Sequence, residues 1–314
     1  MSARTRRAAR WLVGIGLLVI LLAVLDVGQI GARLASVHLG LALPAIAGLV
    51  GVHLIAVASW RRLGANLADV DLEWPNAIRL YYAGLAVGTV TPGNIGSDVY
   101  RVTALGNRAA FGRLTRVVVI QRLTSLGAVV SLGVLGALAL PIDGLGPFAL
   151  LVGAFGVALA IAVVVLSSTA GRFGSLGAAV LRRLGLDDAG SFGGRMRSAV
   201  VDGFGFGLVF HVASVLLGYV LVGAVDPALA SQQPVVVLAA LAVARLSLAI
   251  PISPNGIGVQ EGLLGVLFLQ AGLSPETAIA ASLLNRLALL GAAALGAVSL
   301  AASPHPGPAI AADG

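Results

Sequence analysis

The strongest constraint on this chain is a set of apolar runs, each about 20 residues long, the helix length that crosses ~30 Å of hydrocarbon. Full-length candidates are Trp11–Ile30, Leu39–Trp60, Thr115–Ala139, Pro147–Ser167, Ala199–Ala224 and Thr277–Ala302. Hydrophobic residues make up 58% of the chain and charged residues 11%, whereas a soluble domain carries about 25% charged residues. A water-facing surface cannot be assembled from that material, so lipid has to be the solvent. Only helices and closed β-barrels satisfy their backbone in lipid, and no stretch alternates for long as a barrel strand does. The expected fold class is all-α, a polytopic transmembrane helix bundle.

Cysteine is absent, which excludes disulfides, thiol catalysis and Cys-ligated metals. No cofactor is implied. All 20 basic residues are arginine, a choice that phosphate binding would favour and that a GC-rich genome would also produce. The net charge of +7 does not imply nucleic acid, because basic residues in a membrane protein mark cytoplasmic loops. Arg4, Arg6, Arg7 and Arg10 precede the first apolar run, which is long for a signal peptide and lacks a clear cleavage site. With this N-terminus inside, loops 61–76, 100–114 and 168–198 also fall inside. Sixteen arginines then lie in cytoplasmic segments or at their edges, against Arg33 alone in an outside loop. Residues 1–10 are thus a basic cytoplasmic N-terminus, 11–302 one membrane domain, and 303–314 a disordered tail. Segment 168–198 is expected to lie on anionic headgroups as an interfacial helix.

Two apolar stretches are broken rather than continuous. Ala77–Val90 runs into Thr91-Pro92-Gly93-Asn94-Ile95-Gly96-Ser97-Asp98, and Pro234–Ile250 runs into Pro251-Ile252-Ser253-Pro254-Asn255-Gly256-Ile257-Gly258-Val259-Gln260-Glu261. Proline removes a helix donor and glycine weakens the helix, so both must break there. The two sites match. Thr91-Pro92 answers Ser253-Pro254, Ile95-Gly96 answers Ile257-Gly258, and an acid follows each, Asp98 and Glu261. Further on, Gln121-Arg122-Leu123 answers Asn285-Arg286-Leu287, and the spans before the breaks carry His53 and His211. Paired Gly/Pro-broken segments in two halves point to a transporter site. The expectation is about six full spans plus two re-entrant hairpins, the halves 39–139 and 199–302 forming an inverted repeat linked by span 147–167 and loop 168–198. Making every hairpin leg a full span, for about ten in all, keeps the same parity.

Broken helices at membrane depth survive only when buried in protein or lining a wet cavity. Gly93, Gly96, Gly256 and Gly258 would let backbone amides approach a ligand, and a helix N-terminus just beyond them favours an anion. Asp98 and Arg101 share a helix face and could simply pair. Arg122 could snorkel or find a carboxylate, while Arg286 lies close to the midplane, where an arginine costs about 2.5–3.5 kcal/mol. A buried Arg286–Glu261 centre is therefore expected. Arg245 falls near a hairpin tip. His53 and His211 read as hydrogen-bonding residues between helices or as proton relays.

Trp60-Arg61-Arg62, Tyr81-Tyr82, Pro92-Gly93-x-x-Gly96-x-Asp98-x-x-Arg101 and Arg122-Leu123 together resemble the lysylphosphatidylglycerol synthase transmembrane region. Pro254-x-Gly256-x-Gly258-x-x-Glu261 with Arg286 resembles that family's second motif, so the likeness covers residues 10–302. The resemblance implies a flippase-like module of the bacterial cell membrane, with both termini cytoplasmic. Full-length members add a soluble synthase domain, which the twelve residues after the last span cannot supply. Asn94 stands where a basic residue is common, and Gln121 where an acid is common.

The expected function is translocation of a lipid or lipid-linked headgroup. The ligand would be an anionic or aminoacylated phospholipid, or a polyprenyl-linked lipid. Binding residues would be Pro92, Gly93, Gly96, Asp98, Arg101, Arg122, Pro254, Gly256, Gly258, Glu261 and Arg286. No nucleotide-binding loop, His-Glu-x-x-His or Ser–His–Asp pattern is present, so an enzyme is not expected. The alternatives are an intramembrane enzyme and a non-catalytic partner of a separately encoded synthase.

Overall fold

The structure is a computed structural model that describes residues 27–89, 91, 94–105, 108–143, 189–249 and 258–302. Among them every regular element is helical. In chain order they are α1 (Val27–Ala35), α2 (Leu39–Gly51), α3 (His53–Ala68), α4 (Trp74–Thr89), α5 (Ile95–Thr103) and α6 (Arg108–Ala139). There follow α7 (Ala189–Val225), α8 (Pro227–Gln232), α9 (Pro234–Ala244), a 3-10 turn (Arg245–Ala249), α10 (Val259–Gln270) and α11 (Pro275–Ala302). Four helices are long and apolar enough to cross a membrane: Leu39–Ala68, Phe111–Ala139, Gly194–Val225 and Pro275–Ala302. The expected spans Trp11–Ile30, but for the last residues that open α1, and Pro147–Ser167 lie outside the described residues. So does the tail 303–314.

Two boundaries differ from the sequence reading. The span expected to end at Trp60 continues as helix to Ala68, because Leu63, Leu67 and Ala68 repeat at helical spacing and are buried with Trp60. Arg61 and Arg62 therefore sit on a helix and not in a loop. The end of segment 168–198, expected at the interface, is already α7 from Ala189. There Met196 and Ala199 pack into the same core as Leu114 and Val117.

The two ends of the bundle carry different chemistry. At one end Asp69 receives Arg113 at 3.5 Å and Arg195 at 3.4 Å, and Asp202 receives Arg62 at 2.9 Å. These contacts bring the end of α3, the start of α6 and the start of α7 together. At the other end Asp226, which caps α8 through the Leu229 amide, pairs with Arg33 at 2.5 Å and accepts from Thr277 at 3.4 Å. From Asp202 to Val225, α7 rises about 34 Å at 1.5 Å per residue, so these are opposite ends. The chain from α3 to α6 thus leaves and returns at the Asp69 end, and the chain from α7 to α11 leaves and returns at the Asp226 end.

The hairpin legs are exchanged between the halves. α4 packs against α11, and α9 packs against α6, while α3 and α7 meet at the centre. Both exchanged contacts need a glycine. A Cβ on Gly296 of α11 would overlap the Tyr82 carbonyl of α4, and one on Gly136 of α6 would lie 2.7 Å from the Ala239 carbonyl of α9. Close backbone approach between small residues is how helices associate where no hydrophobic effect separates protein from lipid. Outward-facing leucines such as Leu43, Leu135 and Leu295 stay exposed, as a lipid-facing surface requires. Gly296→Leu should therefore destabilise the protein by at least about 1–3 kcal/mol. Gly262→Ala, whose Cβ meets nothing within 4 Å, should be neutral; thermal unfolding in detergent micelles reads both.

Candidate functional site

The first hairpin turns between Thr89 and Ile95. Thr91 holds it: its hydroxyl donates to the Gly88 carbonyl at 3.0 Å and accepts from the Gly96 amide at 2.9 Å. Asn94 takes a left-handed φ of 58°, which asparagine tolerates better than branched residues. It lies so close to α4 that a Cβ on Gly88 would collide with its side chain. α5 then resumes with Asp98 in its first turn and Arg101 in its last.

Asp98 is shared by two guanidinium groups. One carboxylate oxygen pairs with Arg101 and the other with Arg122 of α6. Arg101 also donates to Gln121 at 3.2 Å and lies 4.8 Å from the Tyr81 ring and 5.5 Å from the Trp60 ring. Gln121 in turn donates to the Ala56 carbonyl at 3.0 Å, joining α6 to α3. Arg122 does not snorkel. It reaches Asp98 and the Asn94 carbonyl, the latter at 3.2 Å. The two arginines differ in access, with side-chain exposures of 6% for Arg101 and 47% for Arg122. Arg122 stands nine residues beyond Arg113, about 13 Å into the bundle, so the tip is held near half-height.

The second hairpin is fastened in a parallel way. Glu261 lies in the first turn of α10, and its carboxylate accepts from Arg286 Nε at 2.6 Å and from Arg286 Nη2 at 3.2 Å. It also accepts from the Gly258 amide at 2.9 Å, so this acid caps its own helix. Gly258 has a φ of 80°, which explains the glycine there. Glu261 is 2% exposed and Arg286 14%, a largely buried pair. Arg286 stands nine residues beyond Thr277, again about 13 Å from its end of the bundle.

A third polar group lies between these centres. Arg245, the first residue of the 3-10 turn, donates from Nε to His211 Nδ1 at 3.1 Å, and His211 Nε2 lies 3.1 Å from the Ser125 hydroxyl of α6. An arginine only donates, so Nδ1 accepts and the proton of this imidazole sits on Nε2. His53 differs: its Nδ1 is buried with no hydrogen-bond partner among the described residues, and its ring packs against Tyr81, Tyr82 and Phe210.

Of the residues singled out from sequence, Gly96, Asp98, Arg101 and Arg122 gather at the first hairpin, and Gly258, Glu261 and Arg286 at the second. Pro92, Gly93, Pro254 and Gly256 lie outside the described residues. The Gly96 and Gly258 amides donate within the protein, to Thr91 and Glu261, so side chains carry the polar chemistry here. Sequence reasoning noted Gln121 only as part of the paired motif and missed Ser125 and the His211–Arg245 contact. Polar side chains inside otherwise apolar helices were the available signal. Because breaking a buried pair strands its partner, Glu261→Gln should cost about 3–5 kcal/mol. The double variant Glu261→Leu/Arg286→Met, which removes both charges, should regain most of that in detergent unfolding.

The family model for the lysylphosphatidylglycerol synthase TM region matches residues 9–296 of the chain. No curated protein and no solved structure shows a significant match.

Proposed function

We propose that this chain, which belongs to the lysylphosphatidylglycerol synthase transmembrane region family, is a lipid translocator that moves a phospholipid or lipid-linked headgroup between leaflets. The observation that carries the reading is the pair of broken hairpins. They start from opposite ends of the bundle, and each is held near half-height by an acid–arginine contact, Asp98 with Arg122 and Glu261 with Arg286. In a bilayer these hairpins are re-entrant, and the two halves are an inverted repeat within a protein of about six spans. The Arg-rich Asp69 end then faces the cytoplasm, as the positive-inside rule requires, with both termini on that side of a bacterial cell membrane.

The first hairpin is the better candidate for the headgroup. Two guanidiniums converge on one carboxylate there, and one of them, on Arg122, is half exposed. A phosphate could take over donors from Asp98 without stranding either arginine, since both ligands are anionic acceptors. A cationic headgroup would meet Asp98 itself. The second hairpin, whose Glu261–Arg286 pair is largely buried, anchors the fold against which the first rocks. This mechanism asks for no bond-making step, so we regard the protein as a non-enzymatic carrier that can serve a separate synthase.

Purified protein in liposomes containing a fluorescent phosphatidylglycerol tests this directly. Leaflet exchange should occur, and Arg122→Gln, Glu261→Gln and Arg286→Ala should each lower its rate by at least about tenfold, the worth of one charge-assisted hydrogen bond. Arg33→Gln, at the far end of the bundle, should leave it unchanged. The folded Glu261→Leu/Arg286→Met variant should also be inactive. No exchange by the wild-type protein, together with co-purification of another protein, would favour the non-catalytic partner instead.

A further inference from the structure

Residues of α7, α9, α10 and α11, with Arg245, line a partly open cavity of about 30 Å³, room for a water molecule or one phosphoryl oxygen. Its polar wall includes Ser214, Arg245, Gln260, Ser282 and Asn285, and Arg245 is the only charged residue lining it among the described residues. Arg245 differs from the arginines of the two hairpin centres. No described carboxylate forms an ion pair with it. Its Nε is taken by His211, its guanidinium carbon lies 5.8 Å from the Phe210 ring, and its two terminal amino groups hydrogen-bond to no described residue. A guanidinium held among apolar helices without an acid is costly, and the groups around it are neutral donors and acceptors. They solvate an anion's surroundings without competing for its charge.

We propose that this cavity is an anion subsite, at which Arg245 binds a non-bridging oxygen of a phosphate or phosphodiester. His211 and Ser125 are its positioning residues. The imidazole accepts the Nε hydrogen bond and so holds the guanidinium plane, leaving the two terminal amino groups to donate to that oxygen. Ser125 fixes the imidazole from the far side. The subsite has sequence neighbours in both hairpin centres. Ser125 lies one turn along α6 from Arg122, on the same face, while Gln260 and Asn285 immediately precede Glu261 and Arg286. Ser125, His211 and Arg245 thus form a hydrogen-bonded chain from α6 to the cavity that Gln260 and Asn285 also line. The proposal rests on the translocator reading only for the source of the phosphate, a lipid headgroup or a free ion.

Arginine modification by phenylglyoxal, read by mass spectrometry of the Arg245 peptide, tests the wild-type protein in a nonionic, phosphate-free detergent. Arg245 should react, and saturating phosphatidylglycerol should slow it by about tenfold while the modification of Arg33 is unaffected. Protection by inorganic phosphate but not by the lipid would keep the subsite and assign it to a free anion. Protection by neither, or an Arg245 inert even without phosphate, would overturn the proposal. Native mass spectrometry gives the second arm. Arg245→Gln should weaken phosphatidylglycerol binding by about tenfold and leave binding of uncharged diacylglycerol unchanged. His211→Ala should produce part of that loss, and His211→Gln, which keeps an acceptor, should restore it. Equal lipid affinity in wild type and Arg245→Gln, with no protection of Arg245 by inorganic phosphate, would contradict the subsite. A protected Arg245 in a protein that exchanges no lipid would leave the subsite standing and remove the translocator. Exchange that depends on Arg122 while Arg245 stays unprotected would do the reverse.

Discussion

Everything in this fold depends on how it holds charge at half-height in a bundle whose solvent is lipid. An arginine in that position is costly unless a carboxylate meets it, and a broken helix there is costly unless its backbone groups find partners. The two problems are solved together. Asp98 and Glu261 each sit in the first turn of the helix that resumes after a break, and each faces an arginine from a long spanning helix. The ion pair fixes the depth of the hairpin, and the hairpin supplies the acid that lets the arginine exist. Neither half of the arrangement is stable alone, which explains why acid, break and arginine recur as a set.

The halves share that logic and differ in how tightly it is closed. At the second hairpin the acid meets Arg286 through two hydrogen bonds and also caps its own helix. At the first, one acid serves two arginines, with aromatic faces of Trp60 and Tyr81 supporting the buried one. Arg122 is thus half exposed, while Arg286 is largely buried. Packing reinforces the difference in role. Each hairpin's first leg lies against the arginine-bearing helix of the other half, in contacts close enough to need Gly296 and Gly136. Movement at one hairpin is consequently felt by the helix that carries the other half's arginine.

Much of this was legible in the residues. Four spans, both breaks and the Glu261–Arg286 pair follow from hydropathy, from proline and glycine, and from the cost of an unpaired charge. The family match over residues 9–296 agrees with the motifs that carried the resemblance. What could not be read depends on neighbours distant in sequence. Arg61 and Arg62 mark a membrane edge, yet the helix runs on because Leu63 and Leu67 find a core in α6 and α7 that no local pattern announces. The glycines at the breaks suggested open backbone amides, but Thr91 and Glu261 occupy those of Gly96 and Gly258. The Arg245–His211–Ser125 contact joins three elements, and each residue alone reads as an isolated polar side chain in an apolar run.

The central claim is that the two hairpins enter from opposite sides of the membrane. The chain has no cysteine, so single cysteines can be placed at Thr103, exposed at the end of α5, and at Gln270, exposed at the end of α10. Labelling with a membrane-impermeant maleimide in sealed vesicles of each orientation reports the side that each position faces. The account predicts that Thr103→Cys reacts only from the cytoplasmic side and Gln270→Cys only from the opposite side. Reaction of both from the same side would contradict it.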